Sequence, residues 1–215
     1  MSIEVHKITT APESTMAQIR KLYEMSFPPA ELREFERIAG DLVSPNGERR
    51  TSLLAAIEGE SVLGISIYAV FPRESLAYLW YLCVDPETRG GGVGGRLYRA
   101  SLDQLDSDGW TDLKGMIFEV ERLSSEAHPI YGDPHRRVRF YQRLGARMIE
   151  GYDYHQPPIP PHDPVPLQLM FHPLGLRESE CDSPALAVIV SDFLRLAQDV
   201  EDSLEGCELR LGMLE

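Results

Sequence analysis

The sequence predicts a mixed α/β fold in which helices flank one central sheet. Three apolar, strand-like runs follow one another at residues 52–57, 62–70 and 76–84. Helical periodicity precedes them at residues 16–27, and a further helix is expected behind the glycine-rich segment 89–95. Because strands and helices interleave without a strict β-α-β repeat, a mixed sheet is expected rather than a TIM barrel.

The N-terminal part of the chain is predicted to form a short strand followed by two helices. Apolar residues at positions 3–8 favour the strand. The first helix covers residues 16–27 and ends at the pair of prolines that follows. A second helix is expected from Pro29 to about Gly40, and the sequence Ser-Pro-Asn-Gly at residues 44–47 predicts a turn.

The middle of the chain is predicted to continue with a hairpin, a helix and a further strand. The sequence Glu-Gly-Glu-Ser at residues 58–61 is typical of the turn between two antiparallel strands. Behind the glycine-rich segment a helix is expected to reach about Leu105, followed by a strand at residues 113–121. After a loop, a helix is expected over residues 135–144, with Gly145 in the position of a C-cap glycine.

The C-terminal part is predicted to contain two strands and a long helix. The strands are expected at residues 146–154 and 167–171, with a proline-rich linker at 156–166 between them. An amphipathic helix is expected over residues 183–204, where Ser183 caps the N-terminus.

The composition excludes several classes of protein. The chain has 215 residues, of which 43% are hydrophobic and 26% are charged, as is typical of a globular protein. Its formal charge of −13 argues against a nucleic-acid coat or an anionic-membrane protein, because both need a positive field. The longest apolar run, residues 63–71, is far shorter than the ~20 residues of a membrane span.

The cysteines and the first residues favour a cytoplasmic protein. Cys83, Cys181 and Cys207 are odd in number and widely spaced, so they match neither a disulfide framework nor a zinc site. The starting sequence MSIEVHK contains no apolar segment of the kind that signal peptides have. We therefore expect a reducing compartment and no structural metal.

The segment between residues 89 and 99 predicts an anion site. Residues 90–95 are all glycine except Val93, so backbone N–H groups can approach a ligand without obstruction by Cβ atoms. At the start of a helix, these groups and the positive end of the helix dipole favour phosphate. Three cationic residues belong to the segment: Arg89, Arg96 and Arg99. The pattern is typical of a pyrophosphate cradle.

Two other phosphate-binding motifs match this segment less well. A Walker A loop requires Lys and then Ser or Thr after its last glycine, whereas an arginine and a leucine follow Gly95. The dinucleotide fingerprint G-x-G-x-x-G matches at Gly90, Gly92 and Gly95, with Glu119 as the ribose-binding acid. In that motif the glycines follow the strand directly, whereas five residues intervene here after Val84. A dinucleotide-dependent oxidoreductase is therefore a weaker alternative.

Two motifs, in this order along the chain, resemble those of the GNAT superfamily of acetyl-CoA-dependent N-acetyltransferases. The sequence L-C-V-D-P-E-T-R-G-G-G-V-G resembles motif A, (Q/R)-x-x-G-x-(G/A), with Arg89, Gly92 and Gly94 at its defining positions. The sequence F-Y-Q-R-L-G-A, which begins at Phe140, resembles motif B, F-Y-x-x-x-G-(F/A). The resemblance extends over about residues 3–172. Within the superfamily, the sequence is similar to a bacterial subgroup.

The resemblance implies a domain organisation and a sheet geometry. A GNAT-like N-acetyltransferase domain is expected at residues 1–175, followed by a C-terminal helical extension at residues 176–215. The sheet is expected to be mostly antiparallel, with its fourth and fifth strands splayed apart. Residues 177–215 contain ten acids and three arginines, so much of the negative charge lies outside the family core.

The resemblance also implies how acetyl-CoA is bound. Its pyrophosphate is expected on the backbone amides of the glycine-rich segment, and its pantetheine arm is expected to pair with the end of the fourth strand. The implied contacts are Leu82, Cys83, Val84, Arg89, Gly90, Gly91, Gly92, Val93, Gly94, Gly95 and Arg96. Cys83 is interpreted as a buried packing residue rather than a nucleophile, because the family's chemistry is direct transfer.

The catalytic residues are likewise implied by position. Tyr141 occupies the motif B position that protonates the departing CoA thiolate in the family. Glu119 lies in the strand sequence I-F-E-V-E, where a family glutamate deprotonates the amine directly or through water. Because strand side chains alternate, Glu121 faces the same way, and either carboxylate is a candidate base. Pro134 stands where many relatives have Asn, and the loop at residues 124–133 is expected to help shape the acceptor pocket.

The expected function is that of a cytoplasmic N-acetyltransferase. It moves an acetyl group from acetyl-CoA to a primary amine of a small acceptor by direct transfer, without nucleic acid, membrane or metal. The alternatives are a non-catalytic acyl-CoA-binding module of the same fold and, less favoured, the oxidoreductase. A homodimer through the apolar stripe at residues 186–204 is the alternative to packing of that stripe on the protein's own sheet, which is favoured.

Overall fold

The computed structural model describes residues 2–43, 49–177, 180–198 and 208–212 of the chain. The chain forms two compact units. The first comprises Met1–Phe71 and Leu79–Thr111, and the second comprises Pro72–Tyr78 and Asp112–Glu215.

The first unit combines helices with an antiparallel hairpin. Its elements are β1 (Glu4–Lys7), α1 (Glu13–Ser26), α2 (Phe35–Val43), β2 (Arg50–Glu58), β3 (Ser61–Phe71), the second half of β4 (Leu76–Val84) and α3 (Val93–Ser107). Strand β2 pairs with both β1 and β3 in antiparallel orientation, and β4 adjoins β3. The predicted hairpin is confirmed, and its turn contains Gly59 at a φ of +62°.

The prediction of a helix starting at Pro29 is wrong in its first part. A single 3₁₀ turn covers Pro29–Glu31, Leu32 has extended backbone angles, and α2 begins only at Phe35. The reason is that side chains bind the intervening backbone: the Tyr23 hydroxyl donates to the Arg33 carbonyl at 2.8 Å. A carbonyl that is engaged in this way does not need a helical partner. The turn predicted at residues 44–47 lies outside the described residues.

The second unit contains the remaining strands and helices. Its elements are the first half of β4, β5 (Gly115–Glu121), α4 (Pro134–Gln142), β6 (Arg147–Glu150), β7 (His155–Gln156), β8 (Val165–Pro173), α5 (Ser183–Gln198) and β9 (Arg210–Leu211). The strand order is β4-β5-β8-β6-β9, and β7 pairs with β8. All of these pairings are antiparallel except that of β4 with β5, which is parallel.

The parallel ladder between β4 and β5 is short. It joins Leu76 with Gly115 and ends where Tyr78 pairs with Ile117, although both strands continue beyond these residues. The expected splay of the fourth and fifth strands stays a prediction. The prediction of a mixed α/β fold with a mostly antiparallel sheet is confirmed.

The strand predicted at residues 146–154 is shorter in the structure. It ends at Glu150, because Gly151 turns the chain with a φ of +88°. A Cβ atom at this glycine would lie 2.1 Å from the Glu208 carbonyl oxygen, so the close approach of the two backbones requires glycine. The approaching segment forms β9, which pairs with β6. The sequence did not predict β9.

Helix α5 packs within the second unit. The side chains of its apolar stripe are buried: Leu186, Ile189, Val190, Phe193 and Leu194. The Phe193 ring makes an edge contact with the Tyr78 ring at 4.9 Å, which supports the interpretation that the stripe covers the protein's own sheet. The part of the predicted helix beyond Gln198 lies outside the described residues, and the domain boundary at residue 175 stays a prediction.

The expected cap of α5 is wrong by one residue. The Asp182 carboxylate accepts from the Ala185 N–H at 3.0 Å and so acts as the capping group. The Ser183 hydroxyl instead accepts from the Leu209 N–H at 2.9 Å. Ser183 therefore connects the start of the helix to the segment that leads into β9.

Candidate active site

The turn between β4 and α3 is held in place by local hydrogen bonds. Asp85 caps the 3₁₀ turn Pro86–Thr88, because its carboxylate accepts from the Glu87 N–H at 2.8 Å. The Asp85 N–H donates to the Leu63 carbonyl at 2.9 Å, which fixes the turn to β3. The glycine-rich segment therefore starts from a fixed point at the end of the strand.

The glycines then adopt conformations that other residues avoid. Gly90 and Gly92 have φ values of +93° and +78°, and Gly92 is the N-cap of α3. The first bond from the start of this helix runs from the Arg96 N–H to the Gly92 carbonyl at 3.1 Å, so the amides between these residues precede the hydrogen-bond ladder. Within the described parts of the chain, no side chain caps α3 and its first turn holds no acid. Such a helix start favours an anion.

The arginines around the segment are anchored to different degrees. Arg96 donates to the Ile3 carbonyl at 3.4 Å, Arg99 donates to the Gly95 carbonyl at 3.5 Å, and Arg89 is exposed. All three arginines belong to the segment that leads into α3 and forms its first turns. The local charge is therefore positive in a protein whose formal charge is −13.

Along β4, side chains alternate between two environments. Leu82 and Val84 are half-buried, whereas Cys83 is buried and its thiol lies 4.0 Å from the Leu22 carbonyl of α1. This burial supports the interpretation of Cys83 as a packing residue. The residues from Leu82 to Arg96 thus all lie in the first unit.

The second unit holds the candidate acid–base residues, and Glu119 is the best supported of them. Its carboxylate accepts from the Tyr78 hydroxyl at 2.8 Å and from the Tyr154 hydroxyl through its other oxygen. Glu119 is half-buried in the middle of β5. The two phenols therefore fix the orientation of this carboxylate.

Sequence reasoning missed both tyrosines as partners of Glu119. They lie 41 and 35 residues away along the chain, and no motif connects them. The packing of α5 explains their position, because the Phe193 ring lies 4.9 Å from Tyr78 and 5.8 Å from Tyr154. In addition, Arg122 donates to the Tyr154 carbonyl at 2.9 Å.

Glu121 has a different environment from Glu119. It is 8% exposed, and its carboxylate lies 3.4 Å from the Arg137 guanidinium of α4. The same guanidinium lies over the Tyr131 ring at 4.1 Å. Because a neighbouring cation compensates its charge and burial limits its access to solvent, Glu121 is the poorer candidate base.

Tyr141 is buried on α4 and lies against β5. Its ring contacts the Phe118 ring at 4.5 Å and the Phe140 ring at 4.9 Å. The contact with Phe118, which directly precedes Glu119 in the chain, places Tyr141 beside this strand. Pro134 occupies the first position of α4, where the missing N–H of proline is tolerated.

The loop at residues 124–133, which is expected to shape the acceptor pocket, is held together by hydrogen bonds within itself. His128 and Gly132 exchange backbone hydrogen bonds of 3.0 and 2.7 Å, and the His128 and Tyr131 rings lie 5.1 Å apart. Because Arg137 contacts Tyr131, this loop is connected to α4.

No group of three or more His, Cys, Asp or Glu side chains in the described residues is arranged to hold a metal ion. Over the same ranges, none of the helices has the length and apolar character needed to cross a bilayer.

Comparison with known proteins decides the family. The sequence profile of the Acetyltransferase (GNAT) family matches residues 16–146, which is more than half of the chain. The chain belongs to the GNAT family. The match includes both the glycine-rich segment and the motif B region, so the resemblance drawn from these motifs is confirmed.

Solved structures agree with a GNAT fold. A protein from the GNAT family of Bacteroides thetaiotaomicron is 26% identical, with a TM-score of 0.62 over 93% of this chain and 100% of that chain. The ribosomal-protein-S18-alanine N-acetyltransferase from Escherichia coli is 14% identical, with a TM-score of 0.54, and the match covers 82% of this chain and 96% of that chain. Arabidopsis thaliana NAA60, in complex with a bisubstrate analogue, is 16% identical, with a TM-score of 0.57, and the match covers 80% of this chain and 97% of that chain. A sequence comparison with curated proteins found no match.

Proposed function

We propose that this GNAT protein transfers the acetyl group of acetyl-CoA to a primary amine in the cytoplasm. The observation that carries the proposal is the start of α3, where left-handed glycines present main-chain amides that no side chain caps within the described residues. A helix start of this kind suits the pyrophosphate of CoA. The N-acetyltransferase among the solved structures of the same fold supports an amine as the acceptor.

The residues that bind acetyl-CoA in this proposal belong to the first unit. The amides of residues 90–95 hold the pyrophosphate, except that of Gly91, which donates to the Thr88 carbonyl at 3.2 Å. Arg89 and Arg96 add positive charge. The main chain of Leu82, Cys83 and Val84 pairs with the amides of the pantetheine arm. When bound, acetyl-CoA supplies a thioester whose acetyl group can be transferred.

Glu119 acts as the base in this proposal. Its carboxylate accepts a proton from the ammonium group of the acceptor, directly or through one water, and thereby produces the neutral amine that attacks the thioester carbonyl. The hydroxyls of Tyr78 and Tyr154 hold the carboxylate in one orientation. Glu121 is left out of this step because its charge is compensated by Arg137.

Tyr141 acts as the acid. A new C–N bond forms to the acetyl carbon, the C–S bond breaks, and the Tyr141 hydroxyl gives its proton to the leaving thiolate. The nitrogen carries an extra proton after the attack and loses it through water to the Tyr141 phenolate, which restores the hydroxyl, while Glu119 returns its proton to solvent. Phenols ordinarily titrate at about pH 10, so the proton is present at neutral pH and can be given up to a nearby thiolate. The contacts of the Tyr141 ring with Phe118 and Phe140 fix the position of the side chain.

The test is an assay of CoA release from acetyl-CoA with a panel of primary amines. With an accepted amine, Tyr141→Phe is expected to lower kcat roughly 10- to 100-fold, because it removes the proton donor and keeps the ring packing. Tyr152→Phe removes a hydroxyl elsewhere in the same unit and serves as the matched control. An unchanged kcat in Tyr141→Phe contradicts the assigned acid.

The same assay separates the alternatives. Binding of acetyl-CoA without CoA release, whatever the amine, overturns the proposed transfer and favours the non-catalytic binding module. Thermal stabilisation by NAD(P)H but not by acetyl-CoA favours the oxidoreductase instead.

A further inference from the structure

Two guanidinium groups lie at one tryptophan of the first unit. The Arg33 guanidinium carbon is 5.2 Å from the centre of the Trp80 ring, and that of Arg49 is 5.5 Å from it. Both distances are within the range of a cation–π contact, which is about 6 Å. All three residues are half-buried, so they combine accessible surface with a fixed arrangement.

The backbone of Arg33 is fixed by two tyrosines. Its N–H donates to the Tyr81 hydroxyl at 3.2 Å, and its carbonyl accepts from the Tyr23 hydroxyl at 2.8 Å. The two tyrosine rings meet edge to face at 4.8 Å, and the Tyr81 hydroxyl in turn donates to the Glu31 carbonyl at 3.0 Å. Burial raises the pKa of Tyr23, so its hydroxyl remains a donor. These bonds hold Arg33 at the start of α2 without making it part of a helix.

Three acids that follow Arg33 in the chain pair with other arginines. Each of these acids pairs with another arginine: Glu34 with Arg37 at 3.2 Å, Glu36 with Arg20 at 2.6 Å, and Asp41 with Arg49 at 2.5 Å. In the described part of the chain, no carboxylate forms an ion pair with the Arg33 guanidinium. Taken together, the guanidinium groups of Arg33 and Arg49 and the carboxylate of Asp41 carry one formal positive charge.

A stacked arginine remains able to bind an anion. The ring contact uses the face of the guanidinium, whereas its N–H donors lie in the plane and match the two oxygens of a carboxylate. The single net charge suits a carboxylate, which carries one negative charge, better than a phosphate dianion. The cluster thus has the properties of a carboxylate site.

The position of Trp80 connects this site with the proposed reaction. Trp80, Leu82 and Val84 alternate on the half-exposed face of β4, and Trp80 is two residues, or about 7 Å, from Leu82. The main chain from Leu82 to Val84 is where the pantetheine arm is proposed to bind. An acceptor whose carboxylate is held at Trp80 would therefore lie close to the proposed position of the pantetheine arm.

We propose that Arg33, Arg49 and Trp80 bind the carboxylate of the acceptor, so that the substrate class is an amino acid. This inference rests on the proposed acetyl transfer. An amino acid supplies both the amine that is acetylated and the carboxylate that the two arginines recognise. The negative charge of the whole protein does not oppose this substrate, because an amino acid carries no net charge near pH 7 when its side chain is neutral.

The first experiment compares acids with their amides as acceptors. The probes are the standard amino acids, β-alanine and γ-aminobutyrate, each paired with its carboxamide, and the readout is CoA release. For the accepted pair, kcat/KM is expected to be roughly tenfold or more higher for the acid, because the amide cannot form a charge-assisted pair with arginine. Equal values for acid and amide overturn the inference.

The second experiment uses arginine variants. Arg33→Met is expected to raise KM for the acid roughly tenfold, to leave KM for the amide unchanged and to change kcat little, because only binding of the carboxylate is lost. Arg49→Met is expected to act in the same direction. The matched control is Arg37→Met, an exposed arginine of α2 that is not part of the site. If Arg33→Met lowers kcat/KM by the same factor for the acid and for its amide, the inference is overturned.

A binding measurement separates this inference from the proposed function. Calorimetric titration with the same acids and amides, in the absence of acetyl-CoA, requires no turnover. Carboxylate binding that is lost in Arg33→Met supports the site even if no amine is acetylated, in which case only the proposed transfer fails. Acetylation of amines together with equal binding of acid and amide overturns the site and leaves the proposed transfer intact.

Discussion

The proposed acetyl-CoA region and the proposed acid–base region are built in opposite ways. The start of α3 is one continuous segment, in which the backbone itself supplies the binding groups and Gly90 and Gly92 provide the necessary conformations. The acid–base region collects side chains from β4, β5 and the segment before β7, and it depends on α5 to hold them.

This difference determines how each region can be damaged. A backbone site is disturbed by adding a Cβ atom where φ is positive. A site made of side chains is disturbed by removing one hydroxyl, one carboxylate or one supporting ring. The following variants separate the two regions, and they are ordered by the size of the expected effect.

Phe193→Ala is expected to lower the free energy of unfolding by about 3–5 kcal/mol, as is typical for a buried phenylalanine. The Phe193 ring is 1% exposed and packs on Tyr78 and Tyr154, so its loss leaves a cavity beneath the phenols that hold Glu119. Urea titration measures the stability, and kcat is expected to fall together with it. The affinity for acetyl-CoA is expected to change little in the folded variant.

The control for this prediction is Phe193→Leu, which keeps an apolar side chain and is expected to cost less than about 1.5 kcal/mol. It also provides a folded protein if Phe193→Ala does not fold. If either variant weakens acetyl-CoA binding by as large a factor as it lowers kcat, the acid–base region and the acetyl-CoA region do not respond independently, and the prediction is wrong.

Glu119→Gln is expected to lower kcat roughly 100-fold or more, because a glutamine cannot accept the proton of the ammonium group. The amide oxygen can still accept from one of the two phenols, so the fold is expected to be kept. Steady-state kinetics with an accepted amine measures the effect. Glu121→Gln is the matched comparison, and a larger loss in that variant than in Glu119→Gln would identify Glu121 as the base.

The sequence predicts the backbone geometry at the start of α3 more fully than it predicts the surroundings of Glu119. The glycine-rich segment can be recognised in the sequence because the proposed site consists of consecutive amides, so its pattern lies in consecutive residues, from Arg89 to Arg96. Glu119 and Tyr141 are recognisable only because they stand in family motifs. Their surroundings depend on tertiary packing, and so Tyr154 carries no local signal of its contact with Glu119.

Similar reasons explain the incorrect fold predictions. The apolar spacing behind Pro29 is helical, but the hydroxyls of Tyr23 and Tyr81 bind the backbone there and delay the start of α2. Gly151 looks like an ordinary strand glycine, but its φ of +88° admits the backbone of residue 208. In both cases a contact with a distant part of the chain outweighs the local pattern.

Gly92→Ala is expected to raise KM for acetyl-CoA about tenfold and to leave kcat within about twofold, because a left-handed conformation costs an L-residue roughly 1–2 kcal/mol. No atom lies within 4 Å of the added Cβ, so the effect comes from the backbone and not from a clash. Gly40→Ala is the matched control, since its added Cβ also meets no atom within 4 Å and it lies in α2. A KM that is unchanged in Gly92→Ala would argue against the start of α3 as the acetyl-CoA site.

The smallest expected effect is that of the phenols that hold Glu119. Tyr78→Phe and Tyr154→Phe each remove one donor to the carboxylate and are expected to lower kcat about fivefold, since a net hydrogen bond contributes about 1 kcal/mol. Because each donor stabilises the charged carboxylate, its loss is also expected to move the acidic limb of the pH–rate profile to higher pH. A purely structural role would lower stability without moving this limb, and Phe193→Leu provides that comparison. If the limb stays in place in both tyrosine variants, Glu119 is not the group whose ionisation controls the rate, and the acid–base region must be assigned to another carboxylate or to bulk water.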